Sequence, residues 1–302
     1  MSAGQGVVFT AEEDGQRLDL VIAGYFEELS RSQVQRLIKS GAVTVDGRLS
    51  KPAYRVEPGD RISVVVPEEK EEPVRPEPIP LDVIHEDASL LAVNKPAGLV
   101  VHPAPGHPSG TLVNGLLAYC PELANVGGLE RAGLVHRLDK DTSGVILVAK
   151  EPEVYKALQR QFKRRRVRKV YVALVEGEVE PREGIIEAPV GRDRRDRKRM
   201  AVRRSGRPAV TRYRTSRRFK SYTLLEVEPR TGRTHQIRVH LSWMGYPVVG
   251  DRVYGRRRQP LLGHRQFLHA QEIRFTHPVS EEEMTLSAPL PPELRAVLDQ
   301  VR

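Results

Sequence analysis

The stretch PEEKEEPVRPEPIP at residues 67–80 limits the possible architectures more than any other feature of the chain. It carries five prolines and five glutamates. Proline removes backbone donors and fixes φ, and neighbouring glutamates repel one another and hold water. The segment is therefore expected to bury almost nothing and to run extended and semi-rigid. A chain of 302 residues interrupted in this way does not build one continuous core. It divides into a module at residues 1–66 (core about 15–66), a linker at 67–80 and a body at 81–302, the last long enough for a sizeable core of its own.

In the small module Leu18, Val21, Ile22 and Tyr25 recur at the spacing of one helix face. Ser30 and Gln33 form a capping box ahead of Val34, Leu37 and Ile38, the apolar stripe of a second helix. Gly41 ends that helix, Val43–Val45 reads as a strand, Asp46-Gly47 as a tight turn and Arg61–Val66 as a last strand. The second helix also projects Arg31, Arg36 and Lys39.

In the body, strand-like runs at Leu90–Asn94, Val145–Ala149, Lys169–Val175, Val210–Thr215, Tyr222–Val227, Phe267–Phe275 and Met284–Ser287 alternate irregularly with helical segments. The helices are expected at Thr111–Ala118, Glu153–Lys163, Thr234–Met244 and Pro292–Val301. Consecutive strands without intervening helices predict an α+β domain with a mixed, mostly antiparallel sheet. Neither GxGxxG nor GxxxxGK[ST] occurs, so no dinucleotide or P-loop nucleotide site is expected.

The net charge is +10, which points to a polyanionic partner, most often nucleic acid. Residues 192–220 hold 14 basic and two acidic side chains, and residues 160–169 hold seven basic and none acidic. Interleaved with Tyr213, Phe219 and Tyr222, these runs are expected to form a phosphate-binding surface rather than an ordinary solvated face. Cys120 is the sole cysteine, so no disulfide framework or thiolate zinc site is expected. The N-terminus lacks a basic and apolar leader, and no stretch approaches 18 apolar residues, so a cytoplasmic protein without a membrane partner is expected.

The chemistry concentrates in two places. In LVHRLDKDTSGVILVAK, Asp139 lies between Arg137 and Lys140 at the edge of a strand. A carboxylate flanked by cations stays ionised, which suits a nucleophile or base rather than an acid. In TGRTHQIRVHLSWMG, Ile237, Leu241 and Met244 face inward while Arg238 projects from a neighbouring stripe. A cation on a buried-sided helix needs a partner, and an interior carboxylate such as Asp139 would serve. Tyr171, in KVYVALVEG, is a candidate stacking platform for a base expelled from its helix.

Two resemblances sharpen this reading. Residues 17–64, in their order of Arg-Leu-Asp, Ser-Arg-Ser, Asp-Gly and Pro-Gly-Asp, resemble the S4 RNA-binding module. That likeness implies RNA contacts through Arg31, Ser32, Gln35 and Arg36. NKPAGLVVHP, HRLDKDTSG, KVYVALVEG, GRTHQIRVHL, GDRVYG and FLHA follow the order found in the RluA family of pseudouridine synthases. With the S4-like module in front, the chain is similar to the RluD-type ribosomal enzymes.

The resemblance implies cofactor-free isomerisation of uridine to pseudouridine, foremost in 23S ribosomal RNA or pre-50S particles; with no heptad or exposed apolar stripe a monomer is expected, and no metal site is expected. Position by position, it implies Asp139 as the essential aspartate and Arg137 as the base-displacing arginine. It further implies Tyr171 as the active-site tyrosine, Arg238 as the partner of the aspartate and Leu268 as an apolar base contact. A non-catalytic assembly factor on the same scaffold would have no need of Asp139, Tyr171 and Arg238 together. A carboxylate hydrolase would want a second placed acid or base.

Overall fold

A computed structural model describes residues 6–302 except 13, 27–28, 67–73, 105, 195, 197–198 and 256–260. The chain separates into two compact units, 1–72 and 73–302.

The first unit contains β1 (Gly6–Thr10), α1 (Leu18–Tyr25), α2 (Arg31–Lys39), β2 (Val43–Val45), β3 (Arg48–Leu49) and β4 (Arg61–Val65). The strands form an antiparallel sheet in the order β1-β4-β2-β3. Leu18, Ile22, Val34 and Ile38 pack against Val43, Ile62 and Val64 to make its core. The stripe on α1 is narrower than its spacing suggests. Tyr25 is 55% exposed and stacks on Phe9 at 4.1 Å between ring centroids, outside the core. The capping box forms, with the Ser30 N–H donating to Gln33 Oε1 at 2.9 Å. Asp46 and Gly47 both take positive φ, the backbone that a two-residue hairpin turn requires.

The second unit begins with β5 (Val83–Glu86), β6 (Leu90–Lys95), α3 (Leu112–Tyr119), β7 (Ser143–Ala149), α4 (Pro152–Lys163) and β8 (Arg168–Glu176). It continues through β9 (Glu183–Glu187), the hairpin β10 (Val190–Arg192) and β11 (Met200–Val202), and β12 (Val210–Arg218) and β13 (Tyr222–Pro229). It ends with α5 (Gln236–Trp243), β14 (Leu268–Thr276), β15 (Glu283–Ser287) and α6 (Pro292–Gln300). The main sheet runs β5-β6-β7-β14-β8-β13-β12-β9, with β15 on β14, and every pairing is antiparallel except β7 with β14.

Strand β7 is buried along its whole length, which explains why it reads as an unbroken apolar run. Ile146 and Val148 belong to the core on one face, which includes residues of α3 and α6, and Val145 and Leu147 to the core on the other, with α4. Gly144 makes the β7–β14 pairing possible: at φ +120°, any Cβ there would lie 2.1 Å from the Ala270 carbonyl oxygen.

Residues 67–73 of the expected linker lie outside the described residues, and residues 74–80 are not a free spacer. They run along α3, where Asn114 donates to the Arg75 carbonyl at 2.7 Å and accepts the Glu77 N–H on its own carbonyl at 3.0 Å. The Glu77 carboxylate also accepts the Gly110 N–H at 3.1 Å, and because proline leaves few backbone groups to satisfy, these few contacts dock the segment. Gly115 leaves room for Ile79, whose Cβ is 3.1 Å from where a side chain would begin.

The aromatic residues within the basic run are not a surface platform either. Tyr213 and Phe219 are buried in the core and Tyr222 is packed against it; on β12, strand alternation turns Tyr213 inward while Arg212 and Arg214 face out. On β12, Arg212, Arg214 and Arg218 already pair with Glu183 (3.9 Å), Glu226 (3.2 Å) and Glu180. No helix among the described residues is long and apolar enough to cross a membrane.

Candidate active site

Asp139 stands at the end of an irregular segment that feeds directly into β7. Three buried contacts hold that segment. The Lys95 ammonium, 1% exposed, donates to the carbonyls of Lys140 (2.9 Å), Pro96 (2.7 Å) and Leu99 (2.8 Å). Burial, with the charge of Arg265, pulls its pKa down to about 7. His136 Nε2 accepts the Leu147 N–H at 2.9 Å, and its ring stacks on Phe162 at 5.1 Å. Desolvation there lowers its pKa to about 3, so the ring is neutral and free to accept. The Thr142 N–H closes the turn onto the Asp139 carbonyl at 3.1 Å.

The carboxylate of Asp139 meets Arg238 across the molecule, Nη1 donating to Oδ2 at 2.9 Å. Arg238 projects from α5 and is 5% exposed. Its Nε and Nη2 donate to the fully buried Asp251 at 2.6 and 2.9 Å. The Val253 and Tyr254 N–H groups donate to the same Asp251 carboxylate at 2.9 and 3.0 Å. Burial opposes both charges, yet the pair keeps its own: the Arg238 pKa rises and that of Asp251 falls, the mutual hydrogen bonds outweighing desolvation.

Arg238 therefore joins two carboxylates of different kinds, one sealed and one 19% exposed at a cleft. That cleft encloses about 600 Å³ of space open to solvent and is lined by Asp139, Arg137, Tyr171, His235, Arg238 and Leu268 among others. Tyr171, within β8, and Leu268, at the start of β14, are buried in its wall. Burial, and then the charge of Asp139, push the Tyr171 phenol above its ordinary range, so it stays protonated. Arg137 is exposed.

All five residues expected at the site in the body thus line one cleft. The four expected in the small module lie on α2, with a difference. Arg31 Nε donates at 3.1 Å to Asp19, a fully buried carboxylate that also takes Arg17 through Nε and Nη2 (both 3.0 Å) and Gln35. Ser32 Oγ lies 3.1 Å from Ser30 Oγ, and Arg36 is exposed.

Sequence reasoning missed Asp251. The signal was available: a buried guanidinium has five N–H donors, more than one carboxylate can satisfy. It also left His235 and Tyr254 without a role. His235 has φ +56°, a left-handed conformation that costs a non-glycine residue of order 1 kcal/mol and clusters at functional sites. Its Nδ1 lies 2.8 Å from Tyr254 Oη, and its Nε2 lies 3.9 Å from Asp139 Oδ2.

The chain has relatives. Residues 89–243 match the family model described as RNA pseudouridylate synthase, and residues 16–62 match the S4 domain. The chain is 52% identical to an uncharacterized RNA pseudouridine synthase of Chloroflexus aurantiacus over 98% of its length and 93% of that protein's. It is 44% identical to ribosomal large subunit pseudouridine synthase D of Neisseria meningitidis serogroup B, covering 98% of this chain and 82% of the relative. Among solved structures, human RNA pseudouridylate synthase domain containing 4 superposes with a TM-score of 0.60 at 28% identity, covering 73% of this chain and 93% of that one.

Proposed function

This chain belongs to the RNA pseudouridine synthases, and we propose that it isomerises specific uridines of large-subunit (23S) ribosomal RNA, with Asp139 as the essential carboxylate. One observation carries the assignment: Asp139 places one oxygen on Arg238 and turns its remaining valence to a cleft walled by Tyr171 and Leu268. The ribosomal target is supported by relatives, matched over 82% and 93% of their own length, that are named for the large subunit. It puts the enzyme in the cytoplasm, acting on rRNA or on pre-50S particles.

The isomerisation breaks the C1′–N1 bond and forms C1′–C5, while N1 gains a proton and C5 loses one. Electrons balance within the nucleoside, so the chemistry itself demands no redox or nucleotide cofactor. Asp139 serves either by adding to C1′ or by taking a sugar proton, and the hydrogen bond from Arg238 keeps it in place in both routes. The target base leaves its stack, Arg137 fills the vacated space, and the base is held against Tyr171 and Leu268. The S4 module, through Arg31, Ser32, Gln35 and Arg36, grips the folded RNA outside the target nucleotide.

The test is tritium release from 5-tritiated uridine in transcribed 23S rRNA, without added metal or nucleotide. Mapping of pseudouridines in cells with and without the gene names the positions. Release that requires a nucleotide, or no change in 23S rRNA on deletion, would overturn the proposal.

A further inference from the structure

We propose that His235 is a further substrate-contacting residue of this site: a neutral imidazole whose Nε2–H donates a hydrogen bond to the O2 of the departing uracil. The inference rests on Asp139 being the reacting carboxylate.

Its first ground is the tautomer. The Met200 N–H donates to Tyr254 Oη at 2.8 Å. A backbone N–H can only donate, so the phenol spends a lone pair on it and keeps its own hydrogen for another acceptor. The near partner is His235 Nδ1 at 2.8 Å. A His235 that accepts at Nδ1 carries its hydrogen on Nε2. The Tyr254 ring is itself fixed, packed with Val190, Ala209 and Val239 and lying 5.1 Å from the Arg238 guanidinium.

Its second ground is where Nε2 points. His235 lines the cleft beside Asp139, but at 3.9 Å the Asp139 oxygen is too far to take the hydrogen bond. Among the described residues no other partner meets Nε2. A donor held in one tautomer, on a backbone fixed in the left-handed region, is thus left unspent next to the reactive carboxylate.

The charged groups around it are Asp139 and Arg137 on the segment before β7, Arg238 on α5, and Asp251. Burial outweighs the attraction of Asp139 and keeps the ring's pKa below its ordinary value, so the donor is the neutral imidazole at neutral pH.

The reaction supplies the acceptor. When C1′–N1 breaks, the electron pair leaves with the base, and the negative charge spreads onto the uracil carbonyl oxygens. O2 is the one adjacent to N1, next to the sugar carbons on which Asp139 acts. A fixed donor aimed at charge that develops in the transition state accelerates the step without tightening substrate binding.

The experiment compares wild type, His235→Ala, His235→Gln and Tyr254→Phe on a rRNA stem-loop carrying either uridine or 2-thiouridine at the target position. Asp139→Asn serves as a control, and thermal midpoints verify folding. His235→Ala is expected to lower kcat about 100-fold with KM within about 3-fold. Glutamine, which restores a donor at that reach, should recover about 10-fold of the loss.

With 2-thiouridine, a poor acceptor, the same substitution should cost under about 5-fold. An equal loss on both substrates, or a loss confined to KM, overturns the proposal. Nitrogen-15 histidine NMR gives a readout independent of turnover. Wild-type His235 should report the Nε2–H tautomer, and Tyr254→Phe should lose that preference. An Nδ1–H or doubly protonated ring in wild type also overturns it. If Asp139→Asn retains full activity, the reading of the site itself fails, an outcome distinct from normal turnover by His235→Ala alone.

Discussion

Two aspartates of this chain, each held by arginine, end up with opposite characters. Asp19 of the S4 module is fully buried and takes hydrogen bonds from Arg17, Arg31 and Gln35. The Arg17 hydrogen bond, more than any other cause, holds its carboxyl well below the usual carboxylate range. Asp139 is 19% exposed and, among the described residues, receives one side-chain hydrogen bond, from Arg238. Saturation makes Asp19 a hub that ties α1 to α2 and orients Arg31. Incomplete saturation leaves Asp139 with lone pairs for chemistry. A nearby cation does not by itself tell an open carboxylate from a saturated one; the remaining hydrogen-bond partners do.

The largest expected effect would break the comparison outright. Asp139→Asn should reduce tritium release more than about 1,000-fold with RNA affinity within a few-fold, whereas Asp19→Asn should leave single-turnover rates on a minimal stem-loop within about 2-fold. Equal losses in the two variants would mean that saturation does not separate the roles.

Asp251→Asn comes next. It removes the sealed partner of Arg238, and a broken buried pair costs about 3–5 kcal/mol, measurable by denaturant unfolding. Activity should fall with it, since Arg238 loses the group that aims it at Asp139. Asp19→Asn should destabilise the S4 module by about 1–3 kcal/mol. It should also weaken RNA binding in a filter or fluorescence titration, although it adds positive charge. Tighter binding would show that Arg31 needs no orienting partner.

Acid should separate the two regions. His136, which pins the Asp139 segment, has a pKa of about 3 in the fold against an ordinary 6.5. The unfolded chain binds the proton first, so the stability His136 contributes is whole above 6.5 and is lost progressively from there down to about 3. Asp19 is also lowered, so its contribution is lost only below the ordinary carboxylate value of 3.8. Hydrogen exchange should therefore loosen residues 135–149 at a pH where the α1–α2 hub still holds. The smallest effect is expected for Arg36→Ser, on an exposed side chain: the salt slope of RNA binding should drop by about one.

The elements were readable because periodicity and caps are local. The capping box at Ser30, the turn at Asp46-Gly47 and the apolar run of β7 formed where the residues indicated. Short edge strands such as β9, β10 and β11 carried no strong pattern and were missed, being defined by their partners. The aromatic residues of the basic run were misread because composition says nothing of facing: strand alternation buries Tyr213 beside exposed Arg212 and Arg214. Residues 74–80 were misread because a proline-rich segment lacks the means to pack by itself, yet Asn114 and Gly115 of α3 supply them.

By itself the sequence determined the two-part organisation, the mixed sheet, the charge that calls for RNA, and the residue types at Asp139, Tyr171 and Arg238. Tertiary structure alone decided which acid is sealed and which is open. Arg238 and Asp139 are 99 residues apart, and Arg31 and Asp19 are 12. Hydrogen-bond saturation belongs to the groups that folding brings together. No local pattern encodes how many donors a buried oxygen will meet, and that number separates a saturated carboxylate from one left open to a cleft.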